Sequence, residues 1–92
     1  MNEQIDNIIR LRNLIDDIDN QIFELFAKRF DISKKIGESK STYKIPIDDG
    51  SREKAIIKRI SNDYKNKIKP EHAEILLETI FLISKNIQKL KK

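Results

Sequence analysis

The chain has 92 residues, 38% of them hydrophobic, with 19 Lys and Arg against 15 Asp and Glu for a net charge of +4, and no Cys. That composition excludes a disulfide framework and a Cys-based metal site, and no apolar run approaches the length of a membrane span. The length predicts one domain over residues 1–92. The polar start Met1-Asn2-Glu3-Gln4 lacks the basic-then-apolar order of a signal peptide, so the cytoplasm is the expected compartment.

The first predicted element is one long helix, from about Glu3 to Lys40. Steps of three and four residues give Ile8, Leu11, Ile15, Ile18, Ile22, Leu25, Arg29, Ile32 and Ile36, a helical seam with one charged intruder, Arg29. Leu14, Phe23, Phe26 and Phe30 widen the stripe, which suits a helix with more than one neighbour. At about 1.5 Å per residue this helix would be roughly 55 Å long, whereas a compact chain of this size is about 30 Å across. The overhang must be covered, and a second copy of the chain is the simplest cover. A homodimer with shared helices is therefore expected.

Ser41 to Ser51 reads as a break, with Pro46 and the turn residues Asp48-Asp49-Gly50-Ser51. Ile45 and Ile47 are expected to pin this loop to the core. Ser51 or Asp49 then caps a second helix, about Arg52 to Lys65, whose apolar face is Ile56, Ile57, Ile60 and Tyr64. Glu53 lies three and four residues before Ile56 and Ile57, so it points inward, which is costly without a partner. Asn66 to Lys69 is a basic connector. Pro70 suits the first position of a third helix running to about Leu90. Its apolar side is Ala73, Leu76, Leu77, Ile80, Phe81, Ile83 and Ile87, with Ser84 and Gln88 continuing one row. The fold class is all-α: one long and two shorter helices in an intertwined homodimer.

The charge distribution weakens a nucleic-acid reading. Much of the excess is Lys at Lys65, Lys67, Lys69 and in the tail Lys89, Lys91 and Lys92, and elsewhere acids interleave with bases. In a chain that favours Lys, each Arg invites a specific reason, and bidentate grip of a carboxylate is one. Arg12, Arg29, Lys40, Glu53, Ser84 and Gln88 break or border the apolar stripes, with Asp49 and Arg52 at the start of the second helix. Taken singly, Lys40 reads as a helix C-terminal cation, Gln88 as a surface residue, and Arg29 as a partner for Glu24 or Asp31 across a dimer interface. Together they suggest a cationic pocket for a small dianion. The sole His, His72, has no triad partners, the two Gly are isolated, and no spaced cluster suits a transition metal. No metal, no cofactor, no nucleic-acid partner and no membrane partner are expected.

The ordered set Leu11-Arg12, Ile15-Asp16, Ile18-Asp19, Leu25-Phe26-Ala27-Lys28-Arg29, Ile36-Gly37, Lys40, Pro46-Ile47-Asp48-Asp49, Arg52-Glu53, Ser84 and Gln88 resembles the all-α chorismate mutases over Ile8 to Leu90. The resemblance implies rearrangement of chorismate to prephenate in phenylalanine and tyrosine biosynthesis. It implies that Arg29 grips one substrate carboxylate and that Arg12 of the partner subunit grips the other. Lys40 and Gln88 would hydrogen-bond the ether oxygen. Glu53 would accept the ring hydroxyl with help from the Asp49 backbone, and Arg52 and Ser84 would support. Phe81 and Lys85, where relatives often carry smaller aliphatics, are expected to narrow the pocket or shift helix packing. Gly50 is expected to loosen the loop over the pocket. The rival readings are an isochorismate pyruvate-lyase on the same scaffold, a basic helical nucleic-acid-binding dimer, and a binding-only dimer.

Overall fold

The computed structural model describes residues 2–90; Met1, Lys91 and Lys92, cited above for the polar start and the basic tail, lie outside them. Three helices follow in order: α1 (Glu3–Tyr43), α2 (Gly50–Asp63) and α3 (Pro70–Leu90). Local chemistry explains their ends. The Asn2 side chain accepts the Ile5 N–H at 2.9 Å, and Glu3 and Asp6 complement the positive end of the α1 dipole. At the far end Lys44 adopts a left-handed conformation, φ 57°, and the Ile45 N–H bonds the Lys40 carbonyl at 2.8 Å. Pro46 follows, where helix cannot resume. Asp49 caps α2 by accepting the Arg52 N–H at 3.1 Å.

Four expectations need correction. The first helix runs three residues past Lys40, to Tyr43. The cap residue, Lys44, carries no glycine signal that would mark the stop. The second helix begins at Gly50, because Asp49, one of the two expected caps, takes the N-cap, and it ends at Asp63 rather than Lys65. Tyr64, expected on the buried face, instead closes α2 and is 47% exposed, and Ile45 is 52% exposed. Ile47 alone turns inward from this loop, half-buried.

Helix α3 packs on both α1 and α2, while among the described residues α1 and α2 do not pack on each other. The gap between them is therefore floored by α3 and left open as a cavity. The row of α1 that meets α3 is Arg29, Ser33 and Gly37, spaced by four. Ser33 and Gly37 are buried, while Ile32 and Ile36 of the expected seam face the cavity and remain exposed. From α3 the buried partners are Ala73, Phe81 and Ser84.

The rest of α1 projects beyond this bundle. The molecule measures 62 × 28 × 15 Å with a radius of gyration of 17.7 Å, against about 12 Å for a compact chain of this length. The large apolar side chains between Ile5 and Leu25 are all exposed, from 39% at Ile22 to 70% at Phe23. Leu76 and Ile83 on α3 are also exposed. Within one copy, most of the stripe legible in the sequence has no cover.

At Gly37 α1 and α3 come into close contact. A Cβ built there would lie 2.8 Å from the Gln88 Cα, a backbone atom that yields only if the helices separate. Gly37→Ala therefore overpacks the contact, at about 1–3 kcal/mol. That equals or exceeds the roughly 1 kcal/mol by which Ala favours a helix over Gly. The expected result is a lower melting temperature by circular dichroism. A variant as stable as the parent would contradict this packing.

Candidate functional site

The cavity between α1 and α2 has a volume of about 290 Å³. All three helices furnish it. Helix α1 contributes Arg29 and Lys40, Asp49 caps α2 at its rim, α2 contributes Arg52 and Glu53, and α3 contributes Ser84 and Gln88. Every site residue expected from the sequence lines this one cavity except Arg12. Arg12 is exposed on the projecting part of α1, seventeen positions before Arg29 and so about 25 Å away along the helix.

Arg29 is anchored rather than paired. Its Nη1 donates to Ser84 Oγ at 2.7 Å, a charge-assisted bond. Ser33 Oγ donates to the same oxygen at 3.2 Å. A hydroxyl accepts two bonds, so Ser84 keeps its own proton free to donate. Among the described residues no carboxylate of the same chain pairs with Arg29, and Asp31 lies 3.4 Å from Lys35. The Phe81 ring centroid lies 6.0 Å from the guanidinium, at the outer limit for a cation–π contact, and adds little. Burial first, and then the positive Arg52, hold the Arg29 guanidinium below its ordinary value. It stays protonated, but its charge is stored without compensation. A bound anion would relieve both causes.

Lys40 donates to the Ile47 carbonyl at 3.0 Å, which ties the end of α1 to the loop. An ammonium has three protons, so two remain for a ligand. Gln88 Oε1 is buried with no hydrogen-bond partner among the described residues. A buried polar atom without a partner is expensive, and here it belongs to a residue that lines the cavity. Glu53 has the partner its inward position requires: Lys85 Nζ lies 3.3 Å from its Oε2 and 3.4 Å from Asp48 Oδ1. Hydrogen bonds to Glu53 and then Asp48 hold the Lys85 ammonium above the ordinary lysine value. With the folded value raised, the lysine's own contribution to the pair is complete below the ordinary lysine range. It is lost only as pH rises through the raised value.

Sequence reasoning missed Ser33, the close approach of α3 at Gly37 and the partnership of Lys85. The first two carried a signal: Arg29, Ser33 and Gly37 recur every four residues, and small residues on one row mark close helix approach. Four cations, Arg29, Lys40, Arg52 and Lys85, face two carboxylates, Asp49 and Glu53, across the cavity. None of the lining residues is Cys, His or Tyr.

Fold and site together define an all-α protein with a small, net-positive pocket. The family model described as chorismate mutase type II matches residues 11–89. A chorismate mutase of Methanocaldococcus jannaschii is 43% identical over 56 residues, 61% of this chain and 57% of that protein. The aligned stretch thus spans a little over half of that relative's length. The solved structure of a conserved hypothetical protein from Pyrococcus furiosus superposes with a TM-score of 0.74 at 33% identity, covering 89% of this chain and 95% of that one. The chain belongs to the type II chorismate mutase family.

Ser84→Ala tests the anchor. It leaves the Arg29 guanidinium and the Ser33 hydroxyl without an acceptor, at about 1–3 kcal/mol for a buried donor left unpaired. Urea denaturation should show a lower midpoint with an unchanged m-value. An unchanged midpoint would mean that Ser84 does not hold Arg29.

Proposed function

We propose that the chain is a chorismate mutase, converting chorismate to prephenate by a [3,3] pericyclic rearrangement. The observation that carries the reading is the convergence of the uncompensated Arg29 guanidinium, two free Lys40 protons and the unpartnered Gln88 amide on one small cavity. The matching family and the similarity to a named chorismate mutase support it.

The reaction moves three electron pairs around a six-atom ring. The ether C–O bond breaks as a new C–C bond forms, and no atom enters or leaves. It needs no nucleophile and no proton transfer, so the protein has two tasks. One is to hold a flexible dianion in the folded, chair-like geometry in which the bond-forming carbons meet. The other is to place donors where negative charge develops on the ether oxygen.

Arg29 holds one carboxylate, and the Ser84 bond fixes its guanidinium before substrate arrives. Lys40 and Gln88 donate to the ether oxygen. The Gln88 amide presents its NH₂ for this, the side-chain oxygen and nitrogen being interchangeable by rotation. Glu53 accepts from the ring hydroxyl, the Asp49 backbone assists, and Arg52 supports the anionic end.

One copy leaves the second carboxylate without its cation. We infer that the functional unit is a homodimer in which Arg12 of the partner subunit completes each pocket. The exposed apolar side chains of α1 from Ile5 to Leu25 supply a surface for that association. Burying them is favourable at about 25 cal/mol per Å². The length of α1 would let one helix serve its own pocket with Arg29 and Lys40 and the neighbour's with Arg12.

An isochorismate pyruvate-lyase would use similar cations. The Glu53 carboxylate, inward-facing and beside Arg52, favours the mutase. Incubation with each substrate separates the two: prephenate from chorismate, against salicylate and pyruvate from isochorismate.

Lys40→Ala is the most direct residue test. Loss of one donor to a developing oxyanion lowers kcat by about 10²–10³, with the helical circular-dichroism signal retained. Parent-like turnover in that variant would remove the basis of the assignment.

A further inference from the structure

Lys85 is the one pocket cation to which the substrate contacts proposed above give no part. It extends from α3 into the mouth of the cavity and bonds two carboxylates from two other parts of the chain. Glu53 comes from the first turn of α2, and Asp48 from the loop between α1 and α2. The two arms are not equal. Asp48 is 75% exposed, so water and salt screen its contact. In the Glu53 arm the side chains are 28% and 27% exposed, and the pair is correspondingly less screened.

The atoms involved give the Glu53 arm a function. Lys85 Nζ takes Oε2 of Glu53. A carboxylate has two oxygens and about four acceptor positions, so Oε1 stays available. A glutamate on the first turn of a helix has three rotatable bonds and would otherwise sample several positions around the cavity mouth. The ammonium removes that freedom at one oxygen and leaves the other free to accept a hydrogen bond. Lys85 also borders a second, open cavity of about 480 Å³ between α2 and α3, lined in part by Glu53 and Phe81. The Lys85–Glu53 pair is thus part of the wall between two spaces, and its loss would let the carboxylate swing out of the first.

The geometry points to Lys85 as a positioning residue for the reaction: it holds the Glu53 carboxylate in place to accept the substrate's ring hydroxyl. This rests on the mutase reading of the same pocket. Lys85 touches Glu53 rather than the reacting atoms, so its effect passes through that one partner. Removal of Lys85 should therefore make Glu53 largely irrelevant, whereas a general role in folding should not.

The test is a double-mutant cycle on prephenate formation, with the parent, Lys85→Met, Glu53→Ala and the double variant, alongside melting curves. Met keeps the length of the side chain and removes the charge. The expected result is non-additivity: the double variant loses about as much kcat/KM as the worse single variant, a coupling on the order of tenfold for residues in contact. Lys85→Arg should recover most of the Lys85→Met loss, since a guanidinium can take the same carboxylate.

Multiplicative losses in a parent that does form prephenate would overturn the Lys85 assignment alone. So would an Asp48→Asn variant that reproduces the whole Lys85→Met loss, since the lysine would then be tethering the loop. A folded parent that forms no prephenate would overturn the mutase reading and this inference with it.

Discussion

Everything in this structure follows from a helix too long for its own protein. Helix α1 spans 41 residues, about 60 Å at 1.5 Å per residue, nearly the full 62 Å extent of the molecule. A chain of this length cannot cover such a helix, because α2 and α3 together are shorter than α1 and must also pack on each other. One copy therefore makes a bundle around the C-terminal part of α1 and leaves the N-terminal part bare. Apolar surface of that extent is unfavourable in water. In the proposed dimer the same bare surface becomes the association surface, and the length of α1 becomes the means by which one subunit's Arg12 reaches the other's pocket.

The bundle itself is arranged to leave a gap. Because α3 packs on both α1 and α2 while those two stay apart, the space between them is a cavity rather than a core. Its walls carry charge that one copy does not neutralise. Arg29 and Arg52 repel, burial disfavours the Arg29 charge further, and the Gln88 oxygen has no partner. Each of these opposes folding of the empty protein, and each is of a kind that a bound anion or its hydrogen-bonding groups would relieve. The close approach at Gly37 ties the two features together, since it sets the distance between α1 and α3 and so the position of Gln88 relative to Lys40.

Much of this was legible in the sequence, and the gaps have physical causes. Three helices, their order and the start of the third could be read from periodicity, Pro46 and Pro70. Seven expected site residues do meet in one cavity, because their spacings put them on facing sides of three elements. The exact row of α1 against α3 was not legible from apolar periodicity. The close contact uses Ser33 and Gly37, which a search for large apolar residues passes over, while Ile32 and Ile36 turn to the cavity. The end of α1 was missed because a lysine, not a glycine, takes the left-handed cap. Lys85 was noticed as an oddity of size and charge, but its two carboxylate partners come from segments 32 and 37 positions away in sequence. No periodicity within one helix reveals such a contact.

The central claim is that each active site is assembled from two copies of the chain, and a mixed-dimer complementation assay tests it most directly. Arg12→Ala and Arg29→Ala should each be nearly inactive alone, since every site in either homodimer lacks one carboxylate-binding arginine. In a mixed dimer, one pocket keeps its own Arg29 and receives an intact Arg12 from the neighbour, while the other loses both. Co-unfolding and refolding the two variants in equal amounts should make half the dimers mixed, each with one working site. The account predicts recovery of about a quarter of parental prephenate formation, as statistical pairing in a two-fold dimer requires. A refolded mixture no more active than the average of its two parents would contradict it.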